Sequence, residues 1–184
     1  YYASDGQAQA AESSHNVDDR PIHLAWSDDL GGLPVDPDVR STVDHARKRL
    51  EDAGVITEDV DIDFSGVDKA WETIEMYGWL STLGTEPMKH PDKYRADFVR
   101  NVTEASHFST TDMIEATARR YKLYSQFAEL LQRFDAFVCP GAPCVAPDAA
   151  LKWVHEIDGV QFDRYFIWQR LACRLVVSAH PVLA

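Results

Sequence analysis

A strand, a helix and a second strand follow each other near the start of the chain, and this order constrains the fold most. Residues 22–27 form a short, partly alternating apolar segment that predicts a strand. Asp36 can cap a helix whose first position suits Pro37, and Gly54 is placed to end it. Residues 60–64 alternate apolar and polar side chains, which predicts a half-buried strand. Short connections make this a βαβ unit, so the sequence predicts an α/β fold with parallel pairing.

The predicted first helix shows one apolar stripe that we expect to be buried. The residues at helical spacing are Val39, Val43, Ala46, Leu50 and Ala53. Further helices are predicted over residues 68–83, 91–106 and 164–178, and the last of these is apolar on most faces, which indicates deep burial.

A capping pattern, Ser109 with Asp112, opens a long helix that we expect to end near Phe134. The apolar positions expected to face the core are Ile114, Ala118, Tyr121, Tyr124 or Ser125, Ala128 and Leu131. Residues 136–139 then form a continuous apolar run, typical of a central parallel strand. Asp158 and Gly159 predict a two-residue hairpin turn. Together these elements predict a mixed sheet covered by helices.

Composition divides the chain into two regions. Residues 1–20 are rich in Ala, Ser, Asp and Gln, and we interpret them as a linker or a mobile lead-in. Residues 21–184 are expected to form a partial α/β domain. The chain begins at Tyr1 and ends in the apolar run 182–184, which resembles the opening of a strand. We therefore expect the sequence to be a segment of a larger polypeptide.

Charge and cysteine content narrow the classes of partner. The chain has 30 acidic against 18 basic residues, a net charge of −12, so binding to nucleic acid or to an anionic membrane surface is not expected. Three cysteines at irregular spacing favour a reduced, cytoplasmic protein over a disulfide framework. The longest apolar stretch, residues 171–184, is broken by Arg174, His180 and Pro181 and is too short to span a bilayer.

The sequence contains no recognisable catalytic motif. It has no G-x-S-x-G elbow, no serine in a glycine-rich loop and no phosphate-binding glycine loop. Cys139 follows a predicted strand, and His155 and Asp158 could complete a nucleophile set, but a buried apolar cysteine is the simpler interpretation. The seven histidines show no ligand spacing, so neither a metal nor a cofactor is expected.

Aromatic residues concentrate in two predicted helices. The residues are Trp71, Tyr77, Trp79, Tyr165, Phe166 and Trp168. Core packing is the first explanation, and the lining of an apolar substrate pocket is the second.

Three ordered stretches resemble the amidase signature family. The first is I-H-L-A-W-S-D-D-L-G-G at residues 22–32, followed by the helix that ends in L-E-D-A-G at 50–54. The second is F-D-A-F-V-C-P-G-A-P at 134–143, and the third runs from residue 163 to A-H-P at 179–181. The resemblance covers about residues 21–184, and Ala179 stands where the family usually has glycine.

The resemblance implies an α/β hydrolase of amide bonds that uses a serine, a second serine in a cis peptide bond and a lysine. That glycine- and serine-rich signature is absent from this sequence, so no catalytic residue is assigned. Two positions are implied as substrate contacts. Arg100 falls where glutamine-using members place an arginine for the substrate carboxylate. Gln169 falls where those members place an acidic group for the substrate amine.

The sequence-based hypothesis is therefore a segment of an amidase that cleaves a carbon–nitrogen bond, inactive by itself. Its expected partners are a small-molecule amide substrate and the remainder of the amidase polypeptide, and a homodimer is left open. The alternative is a non-catalytic scaffold or interaction domain derived from the same fold. A third alternative is a cysteine hydrolase that uses Cys139.

Overall fold

A computed structural model describes residues 20–183. The predicted lead-in, residues 1–20, lies outside the described residues except for Arg20. The elements in chain order are β1 (His23–Trp26), α1 (Pro37–Asp52), β2 (Ile56–Asp59), α2 (Val67–Leu83), α3 (Glu86–Lys89), α4 (Ala96–Ala105), α5 (Thr110–Leu130), β3 (Ala136–Val138), β4 (Glu156–Ile157), β5 (Val160–Gln161) and α6 (Arg170–Val177). Two 3₁₀ turns, Pro91–Lys93 and Ile167–Gln169, precede α4 and α6.

The central sheet confirms the α/β class. Its strand order is β2-β1-β3, and both pairings are parallel. Leu24 lies opposite Thr57 on one side and Ala136 on the other, so β1 is central and β3 lies at an edge of the described sheet. β4 and β5 form a separate antiparallel hairpin, as predicted. Asp158 and Gly159 at its turn have φ of 49° and 77°, the left-handed values that this hairpin turn requires.

The second strand of the βαβ unit lies earlier than the sequence predicts. The paired residues are Ile56–Asp59, and residues 60–64 leave the sheet. The alternation in 60–64 still marks burial, because Ile62 and Phe64 are buried while Asp61 and Asp63 are exposed. Period-two burial therefore arises here from an extended segment packed on the core, not from a strand in the ladder.

Helix α1 begins as predicted, but its apolar stripe is not buried. The Asp36 carboxylate accepts a hydrogen bond from the Asp38 N–H at 2.9 Å, and Pro37 is the first helical residue. Within residues 20–183, none of the α1 side chains is buried, and Leu50 keeps 36% of its surface exposed. The prediction of a buried stripe is wrong for the described residues, because α1 packs only along one side, beside β2.

Helix α5 shows the predicted capping box but buries a different face. The Ser109 hydroxyl accepts from the Asp112 N–H, and the Asp112 carboxylate accepts from the Ser109 N–H at 2.8 Å. The buried residues are Ala116, Leu123 and Phe127. The predicted core positions Ile114 and Tyr121 are instead 63% and 69% exposed. α5 thus has two apolar faces, and packing against α2 and α6 covers only one of them.

Two predicted helices are interrupted. The segment 91–106 divides into the 3₁₀ turn at 91–93 and α4, because Tyr94 adopts an extended conformation between them. The segment 164–178 divides into a second 3₁₀ turn and α6. α6 buries Leu171, Cys173, Arg174 and Val177, while Val176 on its other face is 64% exposed, so the expected burial holds for one face.

Two apolar clusters stabilise the fold. The larger joins the loop after β1 to the extended segment, α5 and α6; its buried residues are Leu30, Leu33, Val35, Ile62, Phe64, Val67, Leu123, Phe127, Leu171 and Val177. The smaller contains Met76, Ala105 and Phe166, with Trp71 and Trp79 packed against it. This second cluster fixes α4 and the segment before α6 in place, and these two elements form the walls of the cleft that is the candidate site.

Candidate functional site

An open cleft of about 280 Å³ lies between α4 and the segment that precedes α6. The lining residues are Ala96, Asp97, Arg100, Trp153, Asp163, Arg164 and Tyr165. This volume is close to the lower end of the range for small-molecule sites. A second crevice beside Leu33 and Trp168 has only about 10 Å³, room for about one water molecule. The larger cleft is therefore the candidate site.

Helix α4 presents one charged face to the cleft. Asp97 and Arg100 are three residues apart, a spacing that places both side chains on the same side of a helix. Asp97 is already engaged, because it accepts a hydrogen bond from the Arg95 guanidinium at 2.6 Å and another from the Phe98 N–H at 2.8 Å. Phe98 in turn packs on Trp79 with ring centroids 5.4 Å apart, which anchors the start of α4.

The opposite wall is formed by Arg164 and Tyr165. Arg164 forms an ion pair with Glu104 of α4, which ties the two walls together. The Tyr165 ring packs edge-on against the buried Phe166, with centroids 5.5 Å apart, and the Arg95 guanidinium lies 5.6 Å from the Tyr165 ring. Burial raises the pKa of Tyr165, and the nearby Asp97 charge raises it further, so this phenol is neutral at physiological pH.

Trp153 closes one side of the cleft. Its ring packs on His155 with centroids 3.7 Å apart, and it is half-buried just before the hairpin. Trp153 and Tyr165 give the cleft an aromatic surface beside its charged groups. Such a combination of aromatic walls and a few polar groups is typical of small-molecule sites.

Two charges in the cleft have no partner within residues 20–183. Arg164 is neutralised by Glu104, and Asp97 by Arg95. Arg100 and Asp163 are exposed, and no hydrogen bond or ion pair engages either side chain in the described part of the chain. Counted over the described residues alone, the cleft therefore offers one free cation and one free anion to a ligand.

A buried amide lies behind the Tyr165 wall. Asn101 is fully buried on α4, and neither of its side-chain polar atoms makes a hydrogen bond within residues 20–183. The side-chain amide of Asn101 lies near the Tyr165 hydroxyl and partly opposes the rise in the pKa of that phenol. Buried unpaired amides are uncommon in folded proteins.

The two residues that the sequence predicts as substrate contacts lie in different places. Arg100 lines the cleft, while Gln169 is exposed at the end of the second 3₁₀ turn and lines neither cavity. Sequence reasoning did not select Asp163 or Trp153, because neither belongs to a periodic pattern. Of the predicted pocket aromatics, Tyr165 lines the cleft, Trp168 lines the small crevice and Trp71 packs in the core.

Cys139 does not have the properties of a nucleophile. Burial raises the pKa of its thiol to about 11, so it is almost entirely protonated at physiological pH. Within the described residues, no group of three or more His, Cys, Asp or Glu side chains is arranged to hold a metal ion. No helix among the described residues is both long enough and apolar enough to cross a bilayer.

Comparisons with known proteins give matches in structure but not in sequence. No family model matches the sequence, and a search of curated proteins gives no match either. A bacterial aryl acylamidase belonging to the amidase signature enzymes is similar, with a TM-score of 0.67, 17% identity and 86% of this chain covered. An amidase structure is similar with a TM-score of 0.72, 15% identity and the same coverage.

The chain spans about a third of the length of these two structures, 35% and 36% respectively. The chain is thus an α/β protein whose fold is similar to about a third of an amidase-signature enzyme. At 17% and 15% sequence identity, the two comparisons establish similarity of fold alone.

Proposed function

We propose that this chain is one part of an amidase-type hydrolase that cleaves a carbon–nitrogen bond. The observation that supports this most is the structural similarity to two amidases over 86% of the chain, with TM-scores of 0.67 and 0.72. The ordered motifs at 22–32, 134–143 and 163–181 support it independently, because they are features of the amino-acid sequence and not of the fold.

In this proposal the cleft forms one wall of the substrate site. Arg100 would bind a substrate carboxylate, since a guanidinium donates to both carboxylate oxygens. Gln169, which lies outside the cleft, is the second proposed contact. Its side-chain amide is exposed and can donate a hydrogen bond to the substrate or accept one from it. An acidic residue at the same position would instead bind an ammonium group.

The reactive groups would come from polypeptide outside this chain. A buried lysine with a lowered pKa would take the proton of the nucleophilic serine, and backbone N–H groups would stabilise the oxyanion. This chain would supply strands, covering helices and a substrate wall, so by itself it would be inactive. The three free cysteines fit a reduced, cytoplasmic setting for this assembly.

An uncovered surface supports a partner polypeptide. We define the α5 outer face by Ile114, Tyr121 and Tyr124, which are 63%, 69% and 46% exposed. Tyr124 stacks on His180, and Phe127 contacts both His180 and Phe137 of β3. The outer face is therefore continuous with the open edge of β3. We propose that the remainder of the amidase polypeptide covers both.

The first experiment reads the complete reading frame that encodes this chain and assays its product for hydrolysis of an aryl amide such as 4-nitroacetanilide. The expected result is a lysine and a glycine- and serine-rich segment in the product, and activity that is lost when the nucleophilic serine is replaced by alanine. A product without both features supports the scaffold alternative, and activity abolished by thiol alkylation supports a cysteine hydrolase.

The second experiment tests the α5 outer face. In the complete product, Tyr121→Glu is expected to lower the unfolding temperature markedly, because an exposed apolar face that becomes buried cannot accept a carboxylate. Tyr77→Glu on α2 is the control, since Tyr77 is 45% exposed and lies on another helix. Equal effects of both substitutions would contradict the proposed contact. A dimeric mass of the 184-residue chain that Tyr121→Glu abolishes would identify a second copy as the partner instead.

A further inference from the structure

We infer that the polypeptide segment beginning at Val182, which we call the Val182 segment, forms a fourth strand parallel to β3. This inference rests on the proposed function, since it needs polypeptide beyond the described residues, and it names the part of that polypeptide that pairs with β3. β3 would then be an interior strand, between β1 and the Val182 segment.

The two outer strands of the described sheet differ in their chemistry. β3 (Ala136–Val138) contains no charged residue. β2, on the other side of β1, ends in Glu58 and Asp59, and Asp59 pairs with Arg47 of α1 at 2.6 Å. Charged side chains are typical of an edge strand that faces solvent, whereas a continuous apolar strand is typical of the interior of a parallel sheet. The edge of β3 is therefore the one suited to a further strand.

β3 also has backbone groups that point away from β1. The Ser27 N–H donates to the Val138 carbonyl at 3.0 Å, so the polar groups of Val138 point to β1. Backbone groups of successive strand residues point to opposite edges, which places the N–H and C=O of Phe137 on the outer edge. Within residues 20–183, β1 is the only strand that pairs with β3, so these two groups have no strand partner there. A parallel strand beside β3 would satisfy both.

Helices α1 and α5 cover opposite faces of the sheet. The Arg47 guanidinium of α1 lies 5.2 Å from the Trp26 ring, and Phe127 of α5 packs on Phe137 with ring centroids 5.1 Å apart. Trp26 is paired with Val138, the neighbour of Phe137 in β3, so Trp26 and Phe137 point to opposite faces.

The handedness of strand connections then places the Val182 segment. Crossovers between parallel strands are almost always right-handed. The connection from β1 to β2 passes over the face of α1, so a connection that runs the other way, outward from β3, must pass over the face of α5. α6 lies on that face, because Leu171 and Val177 share a buried cluster with Phe127. A strand that follows α6 is therefore placed beside β3 and not beyond β2.

The path of the chain after α6 agrees with this placement. His180 stacks on Tyr124 with centroids 4.8 Å apart and lies 5.7 Å from Phe127, the residue of α5 that packs on β3. Val182 and Leu183 follow, with 50% and 99% of their surfaces exposed. An extended backbone from His180 places Val182 on the side of α5 and Leu183 on the side of α1. The segment thus begins near β3 with its apolar side chains uncovered.

Cysteine pairs in the product of the complete reading frame test this arrangement. The background lacks native thiols, with alanine in place of Cys139, Cys144 and Cys173. Leu183→Cys is combined with Ala136→Cys or with Val138→Cys, since both β3 side chains point to the side of α1. At least one of these pairs is expected to form a disulfide on oxidation, in a yield at least about tenfold above the controls, because neighbouring strands meet the distance that a disulfide requires.

Two control pairs use the same cysteine chemistry. Leu183→Cys with Thr57→Cys joins the segment to β2, on the opposite edge of the sheet. Val182→Cys with Ala136→Cys joins side chains expected on opposite faces. Neither control pair should form the disulfide.

Hydrogen exchange of the unsubstituted complete product gives a second measurement. The Phe137 amide is expected to exchange at least about a hundredfold more slowly than an unstructured amide, because it would donate to the Val182 segment. A disulfide yield no higher than in the controls, or an unprotected Phe137 amide, overturns the inference. A complete product that ends at Ala184 would lack the segment and would also overturn it.

These outcomes are separate from the amidase proposal. A complete product that hydrolyses amides without the disulfide and without protection of Phe137 would remove only the fourth strand. Strand pairing in a product that hydrolyses no amide would keep the fourth strand and favour the scaffold alternative.

Discussion

Arg174 of α6 binds both carboxylate oxygens of Asp68 at the start of α2, with its Nε 2.8 Å from Oδ1 and one Nη 2.7 Å from Oδ2. The other Nη of Arg174 donates to the backbone carbonyl of Leu30. Arg170, one turn earlier, bridges Asp68 and Glu72 at 3.2 and 2.7 Å. Two arginines on one helix thus match two carboxylates on another, which explains why a charged residue lies within the apolar sequence of α6.

Loss of the Asp68 carboxylate is expected to destabilise the chain. Asp68→Ala would leave the buried Arg174 without its carboxylate partner, and removal of one member of a buried ion pair costs about 3–5 kcal/mol. Because the Asp68 side chain keeps 20% of its surface exposed, we expect the lower end of this range, about 3 kcal/mol. Urea unfolding followed by circular dichroism measures the change. Asp44→Ala on the exposed face of α1 is the control, and an equal loss in both variants would contradict the structural role of the ion pair.

Ala179→Gly is expected to stabilise the chain. Ala179 has φ of 58°, a left-handed conformation that costs a residue with a Cβ roughly 1–2 kcal/mol. Glycine removes this cost, but its greater conformational freedom in the unfolded chain offsets part of the benefit. The net gain in the free energy of unfolding should be about 0.5–1 kcal/mol. Thermal unfolding of the two proteins checks it. Ala118→Gly in the exposed middle of α5 should show the opposite sign, and a loss of stability in Ala179→Gly would show that the backbone rearranges.

The stability contributed by Asp135 is expected to disappear at acid pH. The Arg20 guanidinium and the His23 N–H hold the pKa of Asp135 at about 2, below its ordinary value. The folded state therefore binds this proton less readily than the unfolded state does, and the stabilisation is complete above about pH 4 and falls as the pH approaches 2. Unfolding temperatures of the wild type and Asp135→Asn, measured from pH 6 to pH 2.5, should converge toward the acid end. A difference between the two that stays constant with pH would contradict the role of this carboxylate.

Cys144 is expected to be alkylated before Cys139 or Cys173. Burial raises the pKa of Cys139 to about 11 and that of Cys173 to about 12, whereas Cys144 is less buried and its pKa is raised less. Since the thiolate is the reactive form, iodoacetamide at pH 8 should modify Cys144 several-fold faster. Peptide mass spectrometry over time gives the three rates. Fastest modification at Cys139 would restore the cysteine-hydrolase alternative.

Local signals in the sequence predicted much of the fold. Asp36 with Pro37, Ser109 with Asp112, and Asp158 with Gly159 all form the caps or turn that their residue types favour, because each depends on atoms within a few residues. The apolar run at 136–139 likewise predicted a parallel strand, and β3 occupies Ala136–Val138. Such features depend little on what the rest of the chain does.

Predictions that required a choice between faces were less successful. Helix α5 has apolar residues on two sides, and the spacing of these residues does not show which side packs against α2. The side that was predicted to be buried is exposed, as Ile114 and Tyr121 show. Residues 60–64 alternate as a strand would, but they leave the sheet after Asp59. In both places the deciding contacts come from elements distant in sequence.

The sequence by itself determined the α/β class, the starts of α1 and α5 and the hairpin turn, since backbone hydrogen bonding and side-chain capping act over short separations. Only the tertiary structure decided which apolar faces are covered, that Arg174 meets Asp68 across 106 residues, and that Arg100 and Asp163 share one cleft while Gln169 lies outside it. The physical reason is that burial and charge pairing depend on distances in space. Those distances are set by how α2, α4, α5 and α6 pack together.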